Sequence, residues 1–218
     1  MDNVLKFASP NPEILEGLAG CIHYAGTFRP DWWTDNVPAR RCPGIADLFS
    51  QSVVVTAPTD IELSVTDNHV RARTLQPTSV LANVQSHPPS IGGAFFETAG
   101  GVSHIIIRFN AFPVAEHGVL RSMNLPSTYH DKNLVTYPKY AAPGILGYTA
   151  EYPVGVAVAL LVPNKPDPHV IERGESLGML WFDKKFSSIQ FIHDANLPMM
   201  QPSVANYRKA CKHARGCE

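Results

Sequence analysis

Two adjacent tryptophans, Trp32 and Trp33, stand close to Arg29, Arg40 and Arg41 early in the chain. Indole faces accept stacked rings and cations, and guanidinium forks clamp phosphate or carboxylate. Trp32, Trp33, Arg40 and Arg41 therefore form a candidate binding surface, suited to a protein partner or a small-molecule ligand. The same residues also fit a plainer role, in which the tryptophans latch an arm onto the core and the arginines pair with Asp31, Asp35 or Asp47.

The other reactive residue types are scattered. Nine histidines are present, at His23, His69, His87, His104, His117, His130, His169, His193 and His213, without the His-x-His or His-x-Asp pair that a jelly-roll metal enzyme places on one strand. His193 and Asp194 are adjacent, so in extended chain they point to opposite sides. Cys211, His213 and Cys217 would give a metal three ligands at a chain end and no fourth. No metal and no cofactor is expected. Cys21 and Cys42 complete the four cysteines, too few and too dispersed for a disulfide framework.

Nucleophilic catalysis needs a Ser or Cys beside an oriented base, and the Gly-x-Ser-x-Gly elbow is missing. Asp60, Glu97, Glu116, Glu151 and Glu175 fall at strand ends or turns, where acid–base groups sit but where solvated charge is also ordinary. Glu116 and His117 beside Asn110 make a weak acid–base constellation. Gly92-Gly93 and Gly100-Gly101 lack the Gly-Lys-Ser/Thr ending of a phosphate-binding loop. No catalytic residue is assigned.

The elements that would hold these groups read as β-structure. Residues 154–162 are a nine-residue apolar run, 164–168 are rich in turn residues, and 177–182 form another apolar strand. Ile61, Leu63 and Val65 alternate with Glu62, Ser64 and Thr66 up to a turn at Asp67-Asn68, and residues 69–76 alternate in turn, which predicts a hairpin with one wet face. Further strands are expected over 52–58, 102–110, 118–123 and 186–193, and a short helix over 11–20. With 19 prolines and 15 glycines, turns dominate over long helices.

The fold class is a mainly β single domain, a sandwich, jelly roll or β-clip of two packed sheets. It divides into an arm over 1–50 packed on the core, a β-rich core over 51–195 and a basic tail over 196–218. A formal net charge of -1 gives no drive toward nucleic acid or anionic membrane. No apolar stretch reaches bilayer length and the first residues do not read as a secretory signal, so a soluble protein of the host cytoplasm or a virion is expected.

Two resemblances follow from these motifs. The unit PGILGYTAEYPVGVAVALLVPNKPDPHVIERGESLGMLWF resembles the closing core of deoxyuridine triphosphatase-like β folds, with Glu172-Arg173-Gly174-Glu175 as its turn. The resemblance carries scaffold and not chemistry, because the position of the water-activating Asp in those enzymes is Gly147 here.

More broadly the chain resembles an uncharacterised family of tailed-phage and bacterial proteins. The matching places are the Trp arm before Arg41-Cys42-Pro43, the strand ending at Pro58-Thr59-Asp60, the Phe109-Asn110 turn leading to Asn124-Leu125-Pro126, the unit just quoted, and the Tyr-basic tail at 206–214. It departs from that pattern at Gly147 and at Ala111.

That resemblance implies a non-enzymatic virion, assembly or accessory binding protein, homo-oligomeric, whose partners are itself or other phage proteins. The alternatives are an enzyme or nucleotide-binding protein on the deoxyuridine triphosphatase-like scaffold and, further off, a cupin-like metal-dependent enzyme.

Overall fold

The computed structural model describes residues 3–30, 41–66, 69–83, 96–98, 102–116, 118–125, 140–141, 145–149, 154–163 and 169–197. Among them the chain is mainly β, a sandwich-type arrangement of several open sheets with two short helices. The first sheet holds β1 (Val4–Ser9) between β16 (Ser188–His193), parallel to it, and β9 (Phe112–Pro113), antiparallel.

The second runs β12 (Ile145–Tyr148), β10 (Leu120–Leu125), β15 (Ser176–Phe182), β3 (Ser52–Thr56), β2 (Ile22–Tyr24), antiparallel throughout. The third runs β11 (Tyr140–Ala141), β13 (Ala157–Pro163), β8 (Val102–Phe109), β6 (Leu81–Asn83), with β7 (Phe96–Thr98) also on β8. The fourth places β4 (Ile61–Thr66) between β14 (His169–Ile171) and β5 (His69–Thr74).

One apolar core joins all four sheets, including Phe7, Ile22, Val53, Leu63, Ile107, Val158, Leu180 and Phe182. The hairpin β4–β5 follows its alternation: Ile61 and Leu63 are buried, while Glu62 faces Arg73 across the strands and receives its Nε and Nη2 at 2.8 and 3.0 Å. The turn expected at Asp67-Asn68 lies outside the described residues.

The second and third sheets meet at β15 and β13. A Cβ built on Gly178 would lie 2.8 Å from Val158 Cγ1 and 3.4 Å from Asn124 Oδ1, so the two layers touch where the side chain is missing. Asn124 Nδ2 donates to the Ala159 carbonyl at 2.8 Å, a hydrogen bond between the sheets. The β15–β3 register shifts between Ser176 and Gly178, and this bulge lets Leu177 join the core as well as Leu180 and Phe182.

The expected apolar run at 154–162 enters its ladder late, at Ala157. A Cβ on Gly155 would sit 2.6 Å from the Phe109 carbonyl oxygen, and Val156 N donates instead to Ala111 O at 2.7 Å. Here the backbone itself crosses another strand end.

The described residues of the stretch 1–50 also contribute to the core. Leu5, Phe7, Ile14, Leu18 and Ile22 are each 3% exposed or less, and β1 and β2 are strands of two different sheets. The expected helix over 11–20 is a 3-10 turn, Pro12–Ile14, running into α1 (Leu15–Ala19), with the Asn11 side chain accepting from Glu13 N at 2.9 Å as an N-cap. The arm expected over 1–50 also holds β2 and the helix α2 (Pro43–Phe49). Pro43 occupies the first turn of α2, where its missing N–H costs no intrahelical bond.

Replacing Gly178 by Ala forces a methyl against Val158 and is expected to lower the free energy of unfolding by about 1–3 kcal/mol. Urea denaturation measures this. Adding Val158→Ala should restore part of the loss, since the two substitutions share one contact.

Candidate functional site

One concavity among the described residues is built by two connections. The β3–β4 connection, residues 57–60, is tied to the turn 172–175: Ala57 N donates to Glu175 O at 2.9 Å and Gly174 N to Ala57 O at 2.8 Å. Gly174 has φ of +83°, left-handed backbone that glycine adopts without strain, and this turns the chain back toward β3. Asp60 Oδ1 accepts from Arg173 N at 2.8 Å, and Glu175 Oε2 accepts from Glu172 N at 3.0 Å. Both carboxylates thus fasten one turn. Thr59, itself buried, donates its hydroxyl to Gln76 Oε1 at 2.6 Å and fixes the neighbouring connection.

Between these walls and the 3-10 turn and α1 lies a cleft of about 990 Å³. Glu13, Glu16, Asp60, Gln76, Thr78 and Arg173 line it, over a floor of Gly17, Gly20 and Cys21. Three carboxylates and one guanidinium make it polar and mixed in charge, capable of holding a ligand that carries both signs.

Its thiol is not a nucleophile. Cys21 is 1% exposed, its Sγ donates to Leu18 O at 3.5 Å, and burial pushes its pKa up to about 12, whereas attack requires thiolate. Among the described residues no three His, Cys, Asp or Glu side chains come together as a metal site.

A second, more apolar cleft of about 500 Å³ lies at the β2 edge, lined by His23, Tyr24, Phe28, Ile189 and Phe191 among others. The His23 and Phe28 rings stack at 4.2 Å with 13° between planes. His23 Nε2 lies 3.3 Å from Thr56 Oγ1. The Thr56 hydroxyl donates to Cys21 O at 3.4 Å, so its oxygen accepts from an Nε2-protonated ring. Burial lowers the His23 pKa below its ordinary value and raises that of Tyr24, the latter against the opposing charge of Arg29.

His23 also ends a row. Leu125, Met179, Val54 and His23 are successive cross-strand partners on β10, β15, β3 and β2, and so share the face turned away from the sandwich interior. On that face Ala25, Phe49, Val54 and Met179 form a small separate cluster, with Phe28, Ile45, Leu48 and Leu125 packed around it.

Of the candidate binding residues, Arg41 is exposed and directly precedes Cys42 and α2, while Trp32, Trp33 and Arg40 lie outside the described residues. Asp47, expected as a partner for arginine, pairs with Lys185 and accepts from Gln51 Nε2 at 3.1 Å. Glu116 is 2.9 Å from Lys6 Nζ, and Asn110 Nδ2 donates to Ser79 O at 2.7 Å, so these two serve separate packing contacts; His117 lies outside the described residues. Gly147, at the position of the enzymes' Asp, is a buried strand residue opposite Arg121. His193 is exposed at the end of β16, and Glu151, Cys211, His213 and Cys217 lie outside the described residues.

Asp60 and Arg173 each stood in a motif, and the structure brings the motifs together; the His23–Phe28 stack had no signal in spacing.

No helix among the described residues is long and apolar enough to cross a membrane. The chain matches no protein-family model, and no curated protein matches it.

At pH 7.5 iodoacetamide should alkylate the half-buried Cys42 in the native protein and leave Cys21 untouched until denaturant is added. Peptide mass spectrometry reads the two sites separately, and native labelling of Cys21 would contradict the burial described.

Proposed function

We propose that this chain is a non-enzymatic binding and assembly protein of phage type, acting by docking on copies of itself or on other phage proteins, as part of a virion or as an accessory. The observation that carries this reading is the rooting of the Trp arm. Phe28 before it, and Ile45, Leu48 and Phe49 after it, pack on one apolar cluster on the outer face of the five-stranded sheet that contains β15.

The ten residues 31–40, which carry Trp32, Trp33 and Arg40, are thus bounded on both sides by chain fixed to a rigid sheet. A segment tied at both ends loses less conformational entropy on docking than a free tail does. Tryptophan and arginine are also the side chains that most often dominate interface energy.

A sedimentation experiment tests this. The wild-type chain should self-associate or co-sediment with particle proteins, and Trp32→Ala with Trp33→Ala should weaken the association at least tenfold, as expected for loss of a centre worth about 2 kcal/mol or more. The urea unfolding curve should be unchanged. A wild-type chain that stays monomeric and is missing from purified particles would refute the reading.

The polar cleft favours a second reading, a protein that binds a nucleotide or similar small ligand, because Asp60 and Arg173 both line it and are held together by the hydrogen bond from Arg173 N to Asp60 Oδ1. On that reading a ligand present at about 100 times its Kd raises stability by about 2.7 kcal/mol. Thermal shift shows the gain, and Arg173→Ala should abolish it.

A further inference from the structure

We propose that His23 is a pH-sensitive latch on the stem 25–30: its neutral ring holds Phe28 against the outer face of the sheet, and a second proton on the imidazole loosens that hold. The inference deepens the reading above, because this stem is one root of the arm proposed to dock.

The geometry that carries it is the double engagement of one ring. Its face lies on Phe28 at 4.2 Å, and its Nε2 edge meets Thr56 Oγ1 at 3.3 Å, which leaves Nδ1 as the nitrogen that takes the second proton. Among the described residues, what surrounds the ring offers no carboxylate to hold the resulting charge. From β3 come Val54 and Thr56, which do not titrate. From the stem come Thr27 and Phe28 in the same cleft and Arg29, already cationic, whose Nε donates to Gly26 O at 2.8 Å. The β16 side supplies Ser187, Ser188, Ile189 and Phe191, and α1 supplies Ala19. On the ring's own strand stand Ile22 and Tyr24, whose phenol burial keeps neutral. Among the described residues no carboxylate lines this cleft.

The direction follows from these surroundings. Burial lowers the native His23 pKa from 6.5, so the unfolded or released stem takes up its proton first as pH falls. The latch is therefore complete above about pH 6.5 and weakens as the pH drops from there through the lower native value.

Hydrogen exchange by NMR tests this on the full chain. The Thr27 and Phe28 amides both donate to Tyr24 O, at 3.1 and 2.9 Å, and their protection reports the stem. After correction for intrinsic exchange chemistry, Phe28 protection should fall at least tenfold between pH 7 and pH 5 in the wild type and stay level in His23→Gln. Should that variant fail to fold, the wild-type His23 ring titration replaces it: its midpoint must lie below 6.5 and coincide with the loss of Phe28 protection. Parallel profiles in the two proteins, separate midpoints, or protection that rises in acid because the imidazolium is held by the Phe28 face, each overturn the latch. A chain that remains monomeric at every pH would sink the docking reading and leave this result intact.

Discussion

The contact between Gly178 and Val158 is the constraint from which the rest of the structure follows. It lets the two five-stranded sheets approach at one point where a single methyl would intrude. With Gly178, Leu180 and Phe182 turned inward, strand alternation sends Met179 to the opposite face. Met179 then becomes the centre of the outer cluster on which Phe28 and α2 rest. The seam of the sandwich and the seat of the arm are consecutive positions on one strand.

Much of the sandwich was legible because its strands advertise themselves locally. Ile61 and Leu63 alternate with charge, residues 177–182 are a closed apolar run, and Phe191 and Ile189 alternate near the end of the described chain. β1 was not legible. Its partner β16 is parallel and distant in sequence, so no turn marks the pair, and Val4–Ser9 alone is a short apolar run without context. α2 was hidden for a different reason: proline and glycine at its start look like a loop, although a helix's first turn tolerates both.

The polar cleft was legible in parts and not as a whole. Asp60 sits at a strand end and Arg173 in a turn, each visible in sequence, but the hydrogen bond from Arg173 N to Asp60 Oδ1 joins positions 113 apart. Patterns of period two report which face a residue takes and not which distant loop it meets. His23 was invisible as a special residue for the same reason: neither Thr56 across the ladder nor Phe28 around the bend stands at a spacing that singles out a pair.

The parallel pairing of β1 with β16 brings Asn3 and Ser187, 184 positions apart, to hydrogen-bonding distance. During synthesis β1 can pair with the short β9 once residue 113 has emerged, but its longer parallel ladder must wait for β16, when nearly all the described chain is out. Phe7 therefore comes within reach of Pro113 in β9 well before it meets Phe191 in β16, and this sheet closes only when β16 arrives.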